Sequence, residues 1–180
     1  MSSPSPDDIL AQWQADEATA RARQQQEPGL ASRATLAGKT GLQQMQALLD
    51  GDVPPAPISR TLDFLLISVA DGEAVFQGRP QFKHYNPLGG VHGGWFATLL
   101  DSALGCAVHT ILPVDRGYTT LEFKVNLVRG LNDKVPLVRA LGHVVHRGRQ
   151  VTTAEAELVG HDGKLYAHAS TTCLLFDLPS

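Results

Sequence analysis

Cysteine is scarce in this 180-residue chain: only Cys106 and Cys173 occur, each inside an apolar run. Two such thiols make no disulfide framework, and buried free thiols in a reducing cytosol are the simpler expectation. Aromatic residues make up only 6% of the chain, and the basic residues are scattered, so nothing resembles a nucleic-acid module. A net charge of −3 is too small to argue for capture by nucleic acid or an anionic membrane. The N-terminus lacks the apolar stretch of a signal peptide and carries Pro4, Pro6, Asp7 and Asp8 instead. Residues 93–114 are the one long apolar run, yet Asp101, His109 and three glycines interrupt it, which reads as a buried core helix rather than a membrane span. The expectation is a cytoplasmic protein with no membrane insertion.

Several catalytic signatures are missing as well. There is no Gly-x-Ser-x-Gly, and Ser102, one helix position past Asp101, is read as pointing elsewhere. There is no His-Glu-x-x-His and no Cys/His ligand set, and His143 and His146, three apart on an expected strand, are read as facing opposite sides, so no metal site is expected. After the glycines at 89–94 comes Trp95-Phe96, where a phosphate-binding loop needs Lys followed by Ser or Thr.

What is present is an apolar fraction of 43%, enough for one core. Residues 1–54 read as an N-terminal extension, partly helical: a polar, loosely packed helix over 7–26 stopped by Glu27-Pro28-Gly29, and a second over 40–50 on the spacing of Leu42, Met45, Leu48 and Leu49. Pro54-Pro55-Ala56-Pro57 reads as a stiff linker into a domain at 55–180. There, strands at 61–70 and 73–79 join through Asp71-Gly72, a hairpin turn signal. A helix over about 93–111, apolar nearly all round, must be enclosed. Strands follow at about 117–128, 136–147, 150–160 and 164–175. The third of these alternates Val151, Thr153, Glu155, Glu157 against Thr152, Ala154, Ala156, Leu158, as a sheet with one solvated face requires. The expected fold class is α+β: about six antiparallel strands wrapped round a central helix, with an N-terminal helical extension.

The stretch His84 to Asp101 carries the chemistry. Four glycines at 89–94 ahead of a long apolar helix leave backbone N–H groups, those of Gly93 and Gly94 among them, bare at the positive end of the helix dipole, where an oxyanion would be stabilised. On the residues alone, a tight turn explains the glycines equally well. Asp101 stands in the middle of the enclosed helix, where a carboxylate is costly unless it is paired, wet or functional. Gly93 and Asp101 are eight residues apart, roughly 12 Å along one helix, too far to act on the same carbonyl. Two antiparallel helices from two chains would bring one Gly93 to the other Asp101, so a dimer with composite sites is expected.

Asn86-Pro-x-Gly-x-Val-His-Gly-Gly, then Thr98-Leu-Leu-Asp-x-Ala, then Tyr118-Thr-Thr-Leu-Glu-Phe-Lys-Val-Asn resembles the hotdog-fold thioesterases of the phenylacetate-pathway and 4-hydroxybenzoyl-CoA type over roughly residues 55–176. The resemblance implies a hotdog fold, homodimers or homotetramers, and hydrolysis of acyl-CoA thioesters with no metal or other cofactor. By motif position it makes Asp101 the nucleophile or general base and Gly93 the N–H that polarises the carbonyl, with Gly94 beside it. Asn86 positions the water or thioester. Thr120 assists the acid, with Thr119 as its neighbour, and His92 shapes the helix start. Arg129-Gly130 departs from the usual pattern, where Arg-Pro is common, but touches only a turn. Arg147 and Arg149, flanking Gly148, are candidates for the CoA phosphates or simply solvated turn charges. Trp95, Phe96, Phe64 and Tyr85 are candidates for the acyl pocket. The alternative is a hotdog module that binds acyl-CoA or an acyl carrier without hydrolysing it; a dehydratase or hydratase on the same fold would use a histidine with a carboxylate in a different motif context.

Overall fold

The computed structural model describes residues 4–179; residues 1–3 and 180, the ends of the expected extension and domain, lie outside them. Four helices come first: α1 (Pro6–Arg23), α2 (Arg33–Leu36), α3 (Gly41–Asp50) and α4 (Pro57–Leu62). The hairpin of β1 (Phe64–Ala70) and β2 (Glu73–Gly78) leads to α5 (Gly93–Thr110), and then come β3 (Arg116–Leu127), β4 (Val138–Arg147), β5 (Val151–Gly160) and β6 (Leu165–Asp177). All strand pairs are antiparallel, in the order β1-β2-β4-β5-β6-β3. This is the hotdog arrangement: a six-stranded antiparallel sheet round one central helix, with added N-terminal helices.

The sheet obeys the alternation read from β5, with Thr152, Ala154, Ala156 and Leu158 buried. Its inner face is small where α5 crosses it: Ala140, Ala154, Ala156, Ala167 and Ala169 are all buried. At Gly142 on β4 even a methyl group is too much, because a Cβ there would stand 2.3 Å from the carbonyl oxygen of Ala103. Into this shallow trough α5 inserts Trp95, Leu99, Leu100, Ala103, Leu104 and Val108. Each fully buried leucine is worth about 1.5–3 kcal/mol, so this one helix carries much of the core. The other side of α5, the stripe Ala97, Asp101, Cys106 and His109, is only partly covered.

That stripe faces the N-terminal helices, which are packed rather than loose. Ser5 caps α1 with a reciprocal Asp8 bond, and Thr40 caps α3 in the same way with Gln43. The polarity of α1 misled the expectation, since it docks through charge. Asp16 meets Arg139 at 2.6 Å, Arg139 lies 4.5 Å over the Trp13 ring, and buried Glu17 takes Arg21 and Arg79 at 2.9 and 3.0 Å. Partly buried pairs of this kind add little net stability, but they specify one docked position. The α3 helix sits on the last turn of α5: the Gly41 N–H donates to the Leu112 carbonyl at 2.9 Å, and Gln44 bonds His109 at 2.9 Å.

Two further expectations need correction. Residues 57–62 are not the linker's end and a strand's start. Pro57 takes the first position of α4, where its missing N–H costs nothing, and Asp63, in the left-handed region at φ 53°, turns the chain into β1. His143 and His146 also do not face opposite sides. A bulge at Val145 pairs them with Glu155 and Thr153, two residues apart on β5, so both lie on the outer face.

Candidate active site

The sheet is curled so far that its two edge strands, β1 and β3, both approach the uncovered stripe of α5. Between them lies a cavity of about 240 Å³. From α5 it is lined by Asp101, Ser102, Gly105 and Cys106, and from the sheet by Phe64, Leu66, Phe76, Tyr118 and Thr120. The remaining wall comes from residues 24–59.

Asp101 is the one ionisable carboxylate in this apolar wall. It has no hydrogen-bond donor or cation partner among the described residues, and burial alone pushes its carboxyl above the ordinary aspartate range. Burial, with the Asp101 charge adding to it, pushes the Cys106 thiol up to about 12, and burial holds the Tyr118 phenol well above its usual value. Both neighbours are therefore neutral at physiological pH, and neither acts as a nucleophilic anion. Ser102 lines the cavity as well, contrary to expectation, but its hydroxyl donates to the Thr98 carbonyl at 2.8 Å.

On β3, ahead of a bulge at Leu121, neighbouring side chains alternate between the two faces. Thr120 pairs with buried Cys173 and lines the cavity, whereas Thr119 pairs with Leu174 and is exposed. The two threonines are thus separated by face, and only Thr120 shares the cavity with Asp101.

The glycine loop lies two turns of helix away. Asn86 folds it by accepting from the Leu88 N–H at 2.9 Å through Oδ1, while its own N–H donates to the Gly90 carbonyl at 2.8 Å. His92 caps α5, its Nδ1 accepting from the Gly94 N–H at 2.9 Å. The first N–H of the helix, that of Gly93, has no acceptor among the described residues. Gly93 abuts the edge strand: a Cβ there would come 3.0 Å from the Leu127 side chain. The chain thus holds a bare N–H at Gly93 and a bare carboxylate at Asp101, at separate places on one helix.

Arg147 and Arg149 are not in this cavity. Arg147 is paired with Asp71 at 2.8 Å on the β1–β2 turn, close to the C-terminal end of α5, and the carbonyl of Arg149 accepts from Arg116. Trp95 and Phe96 are core residues, and the Tyr85 hydroxyl donates to Asp133 at 2.8 Å. Of the acyl-pocket candidates only Phe64 reaches the cavity.

Residues 88–167 match the model of the thioesterase superfamily. Among solved structures, the TT0310 protein of Thermus thermophilus is 30% identical, with a TM-score of 0.59 over 66% of this chain and 96% of its own. The conserved protein PA5202 of Pseudomonas aeruginosa is also 30% identical, with a TM-score of 0.63 over 67% of this chain and 94% of its own. The chain belongs to the thioesterase superfamily. A phenylacetic acid degradation-related protein of Ralstonia eutropha JMP134 is similar too, at 27% identity and a TM-score of 0.65, over 72% of this chain and 97% of its own. A search of curated proteins finds no match.

Within this thioesterase-superfamily chain, sequence reasoning missed Tyr118, Gly105 and the contribution of residues 24–59 to the cavity. Tyr118 and Gly105 form a fitted pair, since a Cβ at Gly105 would lie 2.6 Å from the Tyr118 hydroxyl. A glycine inside a long helix costs about 1 kcal/mol against alanine, and that cost was the available signal.

Proposed function

We propose that the chain hydrolyses acyl-CoA thioesters to the free acid and CoA, with Asp101 as the nucleophile or general base and the Gly93 N–H polarising the thioester carbonyl. Family membership supports thioester hydrolysis in general. The observation that carries the finer reading is the uncompensated Asp101 carboxylate in an apolar cavity beside Thr120. A thioester needs little more than this, because its carbonyl is electrophilic and thiolate leaves readily, so one carboxylate and one oxyanion donor suffice. Thr120 offers a hydroxyl to hold the acid or the attacking water, and Asn86 keeps the glycine loop in the shape that bares Gly93.

The two halves of the machinery act together in a dimer. At the sheet's edge β3 pairs only with β6, and it exposes Leu121, Phe123 and Leu127. A long unpaired edge with exposed apolar side chains is a surface that a second copy would cover. The same strand runs alongside α5 from Thr120 near Asp101 to Leu127 near Gly93. Two such edges paired antiparallel set two α5 helices antiparallel, with each Gly93 toward the other chain's Asp101.

The test is release of free thiol from a panel of acyl-CoAs by the purified protein; binding without thiol release would leave only the non-hydrolytic module. Two consequences are specific. Asn86→Ala and Asp101→Asn chains, each inactive alone, regain activity when co-expressed, to about a quarter of wild type, since half the dimers are mixed and each mixed dimer has one intact site. Recovery no greater than the sum of the separate variants would remove the composite site. The acid limb of the kcat/KM profile lies above the ordinary aspartate value of 3.8, because the base must be ionised and burial favours its protonated form. A limb at or below that value would mean that another group limits the rate.

A further inference from the structure

The wall of the Asp101 cavity is built by the central helix and the sheet on one side and by the segment ahead of β1 on the other. The α5 and β3 residues lie within the matched segment 88–167; Phe64, Leu66 and Phe76 on β1 and β2 precede it, and Gln24, Leu48, Pro55, Ile58 and Ser59 come before the sheet begins. We infer that this N-terminal segment is an acyl-length gauge, with Leu48 as the apolar stop, that limits the substrate to medium-length acyl groups. This rests on the thioesterase reading above and deepens it by naming the acyl class.

Three observations carry it. The first is polarity: Asp101 and Thr120 mark the reacting end, one turn further along α5 the wall becomes Gly105 and Cys106, and Leu48 of α3 lines the same cavity. From Asp101 to Cys106 is five residues, about 7.5 Å of helix, the reach of about six carbon–carbon bonds of an extended chain. The volume agrees, since 240 Å³ exceeds the roughly 150 Å³ cavity that takes up a six-carbon ring such as benzene.

The second is rigidity at the closed end. Leu48 follows Gln44 by one helical turn and so shares its face, and Gln44 is bonded to His109 at 2.9 Å. Gly41, at the start of the same helix, is packed so tightly on α5 that a Cβ would come 1.7 Å from the His109 carbonyl oxygen. The Gln24 amide ties the other side by donating to the Leu66 carbonyl on β1 at 3.0 Å. A stop held by backbone contacts does not swing away to admit a longer chain.

The third is the mouth. Ile58 lines the cavity yet is 49% exposed, on a six-residue helix with no buried side chain. An isoleucine left open there gains a partner when an acyl group fills the space beneath it.

The experiment measures thiol release from acyl-CoAs of increasing chain length, with wild type, Leu48→Ala, Leu48→Trp and Ile58→Trp. Binding of S-alkyl-CoA thioethers, which cannot be hydrolysed, is measured in parallel by calorimetry. Wild type peaks at about six to ten carbons and falls by about tenfold or more at sixteen, as rejection by an apolar stop predicts. Leu48→Ala moves that fall to longer chains, and Leu48→Trp moves it to shorter ones, chiefly through KM. If a Leu48 variant fails to fold, Ile58→Trp at the half-exposed mouth carries the test by penalising the bulkier substrates. Hydrolysis with a profile that none of these variants shifts overturns the gauge. No hydrolysis, but thioether binding that is length-limited and shifts in Leu48→Ala, overturns the thioesterase reading and upholds the gauge. Neither hydrolysis nor length-dependent binding overturns both.

Discussion

An Asp101→Asn variant loses about a hundredfold or more in turnover while melting no lower than wild type. The activity loss is the usual scale for removing a positioned acid–base group. The stability expectation comes from the opposite side of the same physics. Burial raises the Asp101 pKa in the folded state, with no partner to offset it. The folded chain therefore holds the proton more tightly than the unfolded one, and ionised Asp101 costs stability above the folded pKa. That penalty fades as pH falls through the folded pKa and is absent below the ordinary value of 3.8. Asparagine carries no such penalty, so the melting temperature of the variant equals or exceeds that of wild type at neutral pH, and the gap closes on acidification. Melting curves across pH beside thiol-release kinetics check both halves. A structural aspartate would give the reverse pattern, with a lower melting temperature and intact turnover.

Gly142→Ala destabilises the fold by about 3 kcal/mol or more, a large part of a domain's usual 5–15 kcal/mol. Its Cβ would meet the Ala103 carbonyl oxygen at 2.3 Å and the carbonyl carbon at 2.5 Å, both backbone atoms that no rotamer change moves. Replacing glycine also narrows the unfolded ensemble, which favours folding by about 0.4–1 kcal/mol. The clash outweighs that gain because relieving it means lifting α5 off β4, and Ala103 is two residues from Asp101. Gly130→Ala is the control: nothing lies within 4 Å of its Cβ position, and the effect stays within about 0.5 kcal/mol. Urea midpoints measure both, and equal midpoints for the two variants would mean that the helix does not press on the sheet as described.

The parts of the fold carried by local patterns were legible in the sequence. The α5 helix announced itself by an apolar surface on all sides, β5 by its alternation, and the first hairpin by Asp71-Gly72, where Gly72 takes φ 83°. Asp101 was legible because a lone carboxylate among so many apolar neighbours is anomalous on residue types alone. What could not be read was set at a distance. The docking of α1 depends on Arg139 and Arg79, more than sixty residues away, and leaves no apolar stripe to find. The facing of His146 with His143 was decided by a single-residue bulge, which reverses every later side chain without a signature of its own, and which of Thr119 and Thr120 turns inward is set by the pairing of β3 with β6. The α4 helix is shorter than two turns, below the length at which periodicity can speak. The cavity wall joins residue 24 to residue 120, and no window along the chain contains both.

The place of β3 in the sheet also governs how the chain comes off the ribosome. Its one partner, β6, is synthesised some fifty residues later, with β4 and β5 laid down between them. At 5–20 residues per second β3 waits about 3–10 s for that partner to emerge, with α5 beside it and half its trough unbuilt. During that interval the nascent chain presents its most apolar helix and an open strand edge together. The timing predicts that chaperone dependence in the cell is set by the β3–β6 interval, and that slower translation of residues 128–165 lowers the soluble yield without altering the folded protein.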